Sequence, residues 1–468
     1  MCAYKASFVW FMSINSSSLV FVFVFVSSFS MKLTSALVAG LATASAEPLT
    51  KLARSAKPIK VKLNNWWDGT DYQWYGKVSV GTPGQEFNLL FDTGSTDLVL
   101  PKKGCTSCSN YTTYDPSKSS TYSKEPNYQY EASYGTAGNA EPLAKPVTMQ
   151  GRIVTDVVTI GDAIAENQTF FLSNEYPKEL GENPLGPNID GIFGLGPPGA
   201  SVFNHEFNKT FTTTFWNLLK SGQLPPVFSL FLNSGRDSAS GEATLGGIDS
   251  SKYEGELTKV PFNATVTALV GEWFIDNPTF YIDKKSVKNS ATGKSFTQAV
   301  SLLDTGTAFI MAPDHQTAKD MYAAISPEIK LLDKLGVWGA PCDVMEKLKP
   351  ELTFTVGSGD KLVNLTMPAD AFNLGEHPDH PGKCQGVILH SPEPISELAT
   401  VWVIGSPVLK GYYTVWDGQK LELGVGTLKE STGNATETSS PASTPTSGAG
   451  VLAPYWGLFA VLAGVFFI

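Results

Sequence analysis

Apolar residues fall in runs of two kinds along this chain. Three long runs sit near the ends: Leu19–Val26, Ala36–Ala44 and Val451–Ile468. In between, the informative runs are short. Residues 89–95 read L-L-F-D-T-G-S and residues 301–307 read S-L-L-D-T-G-T. A brief apolar stretch cut off by a glycine-containing turn predicts a buried strand that stops sharply and lifts the next side chain out of the core. That side chain is an aspartate both times, Asp92 and Asp304, with a hydroxyl residue following at Ser95 and Thr307. Each repeat also has a later apolar echo ending in glycine, Ile192-Phe193-Gly194 and Val403-Ile404-Gly405. The glycines lie 102 residues after Asp92 and 101 after Asp304. A lone D-T-G carries little information. Two copies with matched lead-in, follow-on and echo spacing predict a chain built of two related halves.

Composition narrows the class. Of 468 residues, 42% are hydrophobic and 17% charged, enough to build a core and too little charge for a disordered chain. The 43 Gly and 30 Pro, with 27 Phe, 16 Tyr and 10 Trp, suit a turn-rich β protein better than a helical bundle. Forty-four acidic residues against 34 basic give a net charge of −10, which argues against a nucleic-acid partner. Five His and five Cys leave little room for a metal enzyme. His377 and His380 lie in a turn-like His-Pro-Asp-His stretch, read as a surface loop rather than a zinc site. There is no G-x-S-x-G elbow, H-E-x-x-H helix or phosphate-binding P-loop. No cofactor and no metal are expected.

The ends read as processing and targeting segments. Ala44-Ser45-Ala46 closes the second apolar run with the small-x-small pattern of a signal-peptidase site, so residues 31–46 form a compact secretion signal. Residues 1–30 are then an upstream extension; the other reading is one long leader. Residues 47–62 carry five bases and one acid and read as a short basic pro-segment held to an acidic body by charge, or as a solvated linker. Residues 431–447 are a Ser/Thr-rich stalk. Residues 448–468 resemble a GPI-attachment signal, with attachment at Ser447 and a simple tail anchor as the competing reading. Six Asn-x-Thr sequons, at Asn110, Asn167, Asn208, Asn263, Asn364 and Asn434, suggest a glycoprotein with those sites on surface loops.

The two D-T-G segments, with Tyr75–Gln85, Tyr134-Gly135-Thr136, Asp190–Gly196, Leu245–Tyr253 and Tyr412–Asp417, make residues 70–427 resemble the pepsin-like aspartic proteases. The end segments make the chain most similar to the fungal GPI-anchored, yapsin-like members. The resemblance implies an all-β, bilobal fold with an N-terminal lobe over 63–250, a C-terminal lobe over 251–430 and a cleft between them. It implies that Asp92 and Asp304 form a catalytic dyad, that Ser95 and Thr307 place hydroxyls by the outer carboxylate oxygens, and that Gly94 and Gly306 allow close approach. It implies further that Thr93 and Thr305 bond across the lobes, and that Tyr134, Gly135 and Thr136 belong to a flap hairpin over the substrate. Cys105–Cys108 and Cys342–Cys384 are expected as disulfides within lobes.

Three departures bear on subsite shape and pH optimum. Val99 stands where relatives often have Trp, the flap tip looks extended between Ala137 and Gly151, and Ser406 follows Gly405 where many have Asp. The expected molecule is a secreted, surface-tethered, monomeric acid endopeptidase. It acts on polypeptide substrates and reaches the membrane or cell wall through a lipid anchor. The rival readings are a wall glycoprotein that keeps the fold for binding without cleaving, and an adhesin whose biology lies in the stalk.

Overall fold

The computed structural model describes residues 57–429, apart from 68–69, 137–141, 177–184, 202, 204–210, 234–240, 289–298, 335 and 391–399. The leader segments, the stalk, the anchor signal, Asn208, Asn434 and Ser447 lie outside the described residues.

The fold is dominated by strands, and the two halves repeat one arrangement. In the first, Gln85–Asp92 runs parallel to Gly191–Gly194, with Asp92 opposite Gly194. Gly191–Gly194 pairs antiparallel with Leu98–Pro101, which runs parallel to Ala163–Ser173. In the second, Ala299–Asp304 runs parallel to Thr400–Gly405, with Asp304 opposite Gly405. Thr400–Gly405 pairs antiparallel with Ile310–Ala312, which runs parallel to Ile388–His390. The echoes are therefore the direct sheet partners of the Asp-bearing strands. Their glycines have a steric cause: the chain after each aspartate folds back over its partner strand. A Cβ on Gly194 would lie 2.6 Å from Thr96 Cα, and one on Gly405 would lie 2.2 Å from the Phe309 carbonyl oxygen.

The halves share a sheet. Ile59–Trp67, Val227–Phe231, Gly241–Leu245, Tyr253–Pro261, Tyr412–Asp417 and Glu422–Leu428 are joined edge to edge, and Tyr412–Asp417 of the second half pairs with Val227–Phe231 of the first. A cut at residue 250 thus separates the two Asp-bearing motifs but not this sheet. Beneath it, Phe228 stacks on Trp416 at 5.7 Å, and Phe262 and Trp273 complete the aromatic cluster.

The end of the expected pro-segment, residues 47–62, overlaps a strand: Ile59–Leu63 pairs with Gly241–Leu245. Val61 and Leu63 are buried while Lys60 and Lys62 point outward, and Lys60 is bonded to Asp249. The I-K-V-K-L alternation is a strand signature that the concentration of lysines obscured. A segment removed from the mature molecule has to end before Ile59 for this strand to stay.

The hairpin of Ser123–Thr136 and Pro142–Ile160 is paired from Ser123 to Tyr134–Val147, then shifts register before Thr136–Pro142. Most of the stretch expected as an extended tip is therefore strand. Tyr134, Gly135 and Thr136 lie on this hairpin; their side chains, Tyr134's included, are outside the description. The loop that holds His377 and His380 lies at the surface, with Pro378 and Asp379 exposed, but the His377 ring turns inward, 1% exposed, with Nδ1 accepting from the Asp379 amide. Among the described residues no cluster of His, Cys, Asp and Glu could hold a metal ion, and no helix is long and apolar enough to cross a membrane.

Candidate active site

The strands ending at Asp92 and Asp304 bring the two carboxyls together inside the molecule, both 0% exposed. The surroundings of one mirror those of the other. Gly94 N donates to Asp92 Oδ1 at 2.8 Å, and Gly306 N donates to Asp304 Oδ1 at 2.7 Å. Ser95 Oγ donates to Asp92 Oδ2, and Thr307 Oγ1 donates to Asp304 Oδ2 at 2.6 Å. Each inner oxygen thus takes a backbone N–H and each outer oxygen a hydroxyl.

Below the carboxyls the two turns interlock. Thr93 N donates to Thr305 Oγ1 at 3.1 Å while Thr305 N donates to Thr93 Oγ1 at 3.0 Å. Each hydroxyl then donates across to the other half, Thr93 Oγ1 to the Leu303 carbonyl at 2.8 Å and Thr305 Oγ1 to the Phe91 carbonyl at 2.7 Å. All four atoms are buried, so losing one partner would leave an unsatisfied group in a dry site. The closeness of the halves depends on Gly94 and Gly306. A Cβ on Gly94 would lie 2.3 Å from Asp304 Cγ, and one on Gly306 would lie 2.6 Å from Asp92 Oδ1.

The electrostatics follow from burial and proximity. Burial raises Asp92 above the ordinary carboxylate range. Asp304 is raised further, by burial first and then by the charge of Asp92 and the hydrogen bond to it. Two carboxyls in contact cannot both ionise at modest cost, so the pair holds one proton and titrates as a unit.

The sequence did not single out other residues that support this centre. Gln73, wholly buried, donates from Nε2 to the Gly306 carbonyl at 2.7 Å. Trp273 donates from Nε1 to the Leu195 carbonyl at 3.1 Å, and Leu195 N donates to the Asp92 carbonyl at 2.7 Å. Neither carries a local motif; their roles arise from contacts between distant segments. Val99 is buried and pairs with Ile192 on one side and Phe171 on the other. Ser406, wholly buried, donates its N–H to the Thr307 carbonyl at 2.8 Å.

The model of the eukaryotic aspartyl protease family matches residues 73–428. The chain belongs to that family. It is 28% identical to gastricsin of Callithrix jacchus over 75% of this chain and 80% of the relative. It is 28% identical to mucorpepsin of Rhizomucor miehei over 75% and 77% of the two chains. Rhizopuspepsin of Rhizopus chinensis is 34% identical over 53% of this chain and 56% of its own length. The protein is therefore a pepsin-like aspartic endopeptidase with the all-β, bilobal fold of its family, acting on polypeptides.

The remaining expected sites are distributed over this protease as follows. The disulfides are Cys105–Cys108, in the loop after Leu98–Pro101, and Cys342–Cys384, which ties the helix Cys342–Met345 to the strand Lys383–Gly386. Asn110 is exposed in a loop, whereas Asn167 and Asn364 are exposed on the strands Ala163–Ser173 and Lys361–Thr366 and not on the surface loops expected. Asn263 differs. It caps the helix Ala264–Val270 by accepting from Val266 N at 2.9 Å, and its Nδ2 donates to Asp276 at 2.6 Å. A glycan on that nitrogen would leave it a single N–H for the bond to Asp276.

Proposed function

We propose that Asp92 and Asp304 are the catalytic dyad and that the enzyme cleaves peptide bonds within extended polypeptides at acidic pH. The observation that carries this reading is the mirrored pair of buried carboxyls, each held by one N–H and one hydroxyl. In the singly protonated state the charged member takes a proton from a water as it attacks the scissile carbonyl, and the protonated member donates to the carbonyl oxygen. The hydrogen bonds at the inner and outer oxygens hold both carboxyls in place, so little reorganisation is needed as charge develops. The Ser123–Ile160 hairpin, carrying Tyr134, Gly135 and Thr136, closes over an extended substrate, which binds by strand-like backbone contacts.

The protease is secreted, enters the secretory path through residues 31–46 and is tethered at the cell surface by a lipid anchor added at Ser447. The leader's apolar run, the stalk composition and the apolar end support this placement. Glycans at the exposed sequons Asn110, Asn167 and Asn364 suit the same compartment. A mixed peptide library incubated with the purified protein between pH 3 and 6 and read by mass spectrometry should show internal cleavages; no cleavage anywhere in that range would refute the enzymatic reading. Cells expressing the full chain should release it on treatment with a phosphatidylinositol-specific lipase or, after transfer to glucan, a wall glucanase. Retention under both, with the apolar end still present by mass, would replace the lipid anchor by a tail anchor.

A further inference from the structure

We propose that Gln73 is a positioning residue for Asp304: an amide of the first half that fastens the turn after Asp304 in the second half and so sets where the two carboxyls meet. The inference rests on the dyad reading above.

The halves repeat a third element, which the sequence conceals. Gln73-Trp74-Tyr75 and Glu272-Trp273-Phe274 share only the tryptophan, and the tryptophans lie 18 and 31 residues before their aspartates. In the fold the two segments correspond. Tyr75 pairs with Leu90 and Phe274 with Leu302, each two residues before its aspartate. Both indoles are wholly buried and donate to a main-chain carbonyl, Trp74 to Asn233 at 3.2 Å and Trp273 to Leu195 at 3.1 Å. Two steps further along each antiparallel register, Gln73 comes level with Asp92 and Glu272 with Asp304.

The mirrored positions behave differently. Gln73 Nε2 reaches into the other half and donates to the Gly306 carbonyl at 2.7 Å, whereas Glu272 Oε2 is buried with no hydrogen-bond partner among the described residues. One amide thus breaks the symmetry of the site and ties the Asp304 turn to the first half.

Gly306 needs such a tie. Its N–H donates to Asp304 Oδ1 at 2.7 Å, and a Cβ there would lie 2.6 Å from Asp92 Oδ1. The position therefore has to be glycine, the residue with the weakest backbone preference of its own. Gln73 supplies the missing constraint: it fixes the Gly306 carbonyl, and with it the peptide that leads into Thr307. Thr307 Oγ1 is the donor to the outer oxygen of Asp304, at 2.6 Å. Turning that peptide would carry the hydroxyl away from the carboxyl. Two residues before Gln73, the same strand makes a second attachment, Asp71 to Lys410. Lys410 follows Gly405, the sheet partner of Asp304, and Ser406 N donates to the Thr307 carbonyl at 2.8 Å. Both attachments therefore land on the surroundings of Asp304.

The test is kcat and KM for one peptide substrate in the parent, Gln73→Met and Gln73→Glu. Met keeps the length of the side chain and removes the donor. Its kcat should fall about tenfold or more, the kind of loss that a small misplacement of reacting groups produces, with KM changed by no more than about twofold. Glu keeps the shape and, as a neutral acid at pH 3, an O–H for the Gly306 carbonyl, since glutamate ionises near about 4.3 and burial raises that value. At pH 3 its kcat should stay within about threefold of the parent's. A side chain that only fills space leaves kcat unchanged in Gln73→Met, and one that only binds substrate raises KM at constant kcat; either result would overturn the proposal. Asp92→Asn is assayed alongside. Its inactivity with an unchanged kcat in Gln73→Met removes this inference alone, whereas persistent cleavage by Asp92→Asn removes the dyad reading and this inference with it. Should Gln73→Met not fold, Gln73→Glu decides the matter at pH 3. A kcat near the parent's supports the proposal, and a loss of about tenfold in protein that is folded by circular dichroism overturns it.

Discussion

Lys410 and Asp71 form an ion pair across 339 residues, with Nζ 2.7 Å from Oδ2, and both side chains are nearly or wholly withdrawn from water at 5% and 0% exposure. Asp71 starts the strand Asp71–Val80 of the first half, and its other oxygen accepts from Asn65 Nδ2. Lys410 ends the short helix Ser406–Leu409 that follows Gly405 in the second half. The pair ties the two halves close to the dyad. Lys410→Met keeps the length of the side chain and removes its charge, leaving a buried carboxylate with its strongest partner gone. Removing one member of a buried pair costs about 3–5 kcal/mol, because the desolvation of the survivor is no longer offset. That is roughly two to nearly four powers of ten in the folding equilibrium. The measurement is reversible urea unfolding near pH 6 in an Asp92→Asn background, which prevents self-digestion. Asp71→Asn and the double substitution complete a double-mutant cycle. The double variant should recover more than half of the loss seen in Lys410→Met, since no unpaired charge remains. A loss below about 1 kcal/mol in Lys410→Met, the range of exposed pairs, would refute the reasoning. So would a double variant whose loss equals the sum of the singles.

Three further outcomes are expected. Thr305→Val removes a hydroxyl that accepts from Thr93 N and donates to the Phe91 carbonyl; leaving both buried groups unpaired should cost about 2–4 kcal/mol by urea unfolding and lower kcat more than it raises KM. Equal stability and kcat would show that the interlock is dispensable. Gly94→Ala places a methyl group on the Asp304 carboxyl and should abolish cleavage while the protein still expresses; activity within tenfold of the parent would contradict the geometry. His390 is buried, with Nδ1 accepting from Trp338 Nε1 at 3.1 Å and Nε2 3.3 Å from His315 Nδ1. Burial, then the neighbouring His315, holds it down at about 4 from the usual 6.5. The neutral ring is the folded form, so its share of stability is complete above about pH 6.5 and drains away as pH falls towards 4, by about 3 kcal/mol in all. His390→Phe in the inactive background should flatten stability against pH across that window, and an unchanged slope would rule the ring out as its source.

The parts of this protein that could be read from the sequence are those fixed by local sterics. An apolar run, an aspartate and a glycine are needed together wherever a strand must stop and present a carboxyl to a facing turn. The glycine echoes are needed wherever a loop crosses directly over a strand. Both constraints leave residue types in fixed order, and so Asp92, Asp304, Gly194 and Gly405 could be found without coordinates. Lys410, Asp71 and Glu272 could not. Each is an ordinary charged residue in its local context, and what makes it unusual is burial created by segments tens to hundreds of positions away. The strand at Ile59 lies between these cases. Ile59, Val61 and Leu63 alternate with Lys60 and Lys62 as in a half-buried strand, yet the same lysines make the stretch read as a basic segment. His377 shows a further limit, since a polar turn-like tetrapeptide says nothing about which of its side chains folds inward.

The most direct test of the shared-proton dyad is the kcat/KM of Asp92→Asn and of Asp304→Asn, each purified as folded protein and assayed on one cleaved peptide from pH 3 to 6. The expectation is that either change alone reduces kcat/KM to the background of the double variant at every pH, because one carboxyl without the other can neither hold the split charge nor orient the water. Substantial cleavage by either single variant, with a profile resembling the parent's, would contradict it.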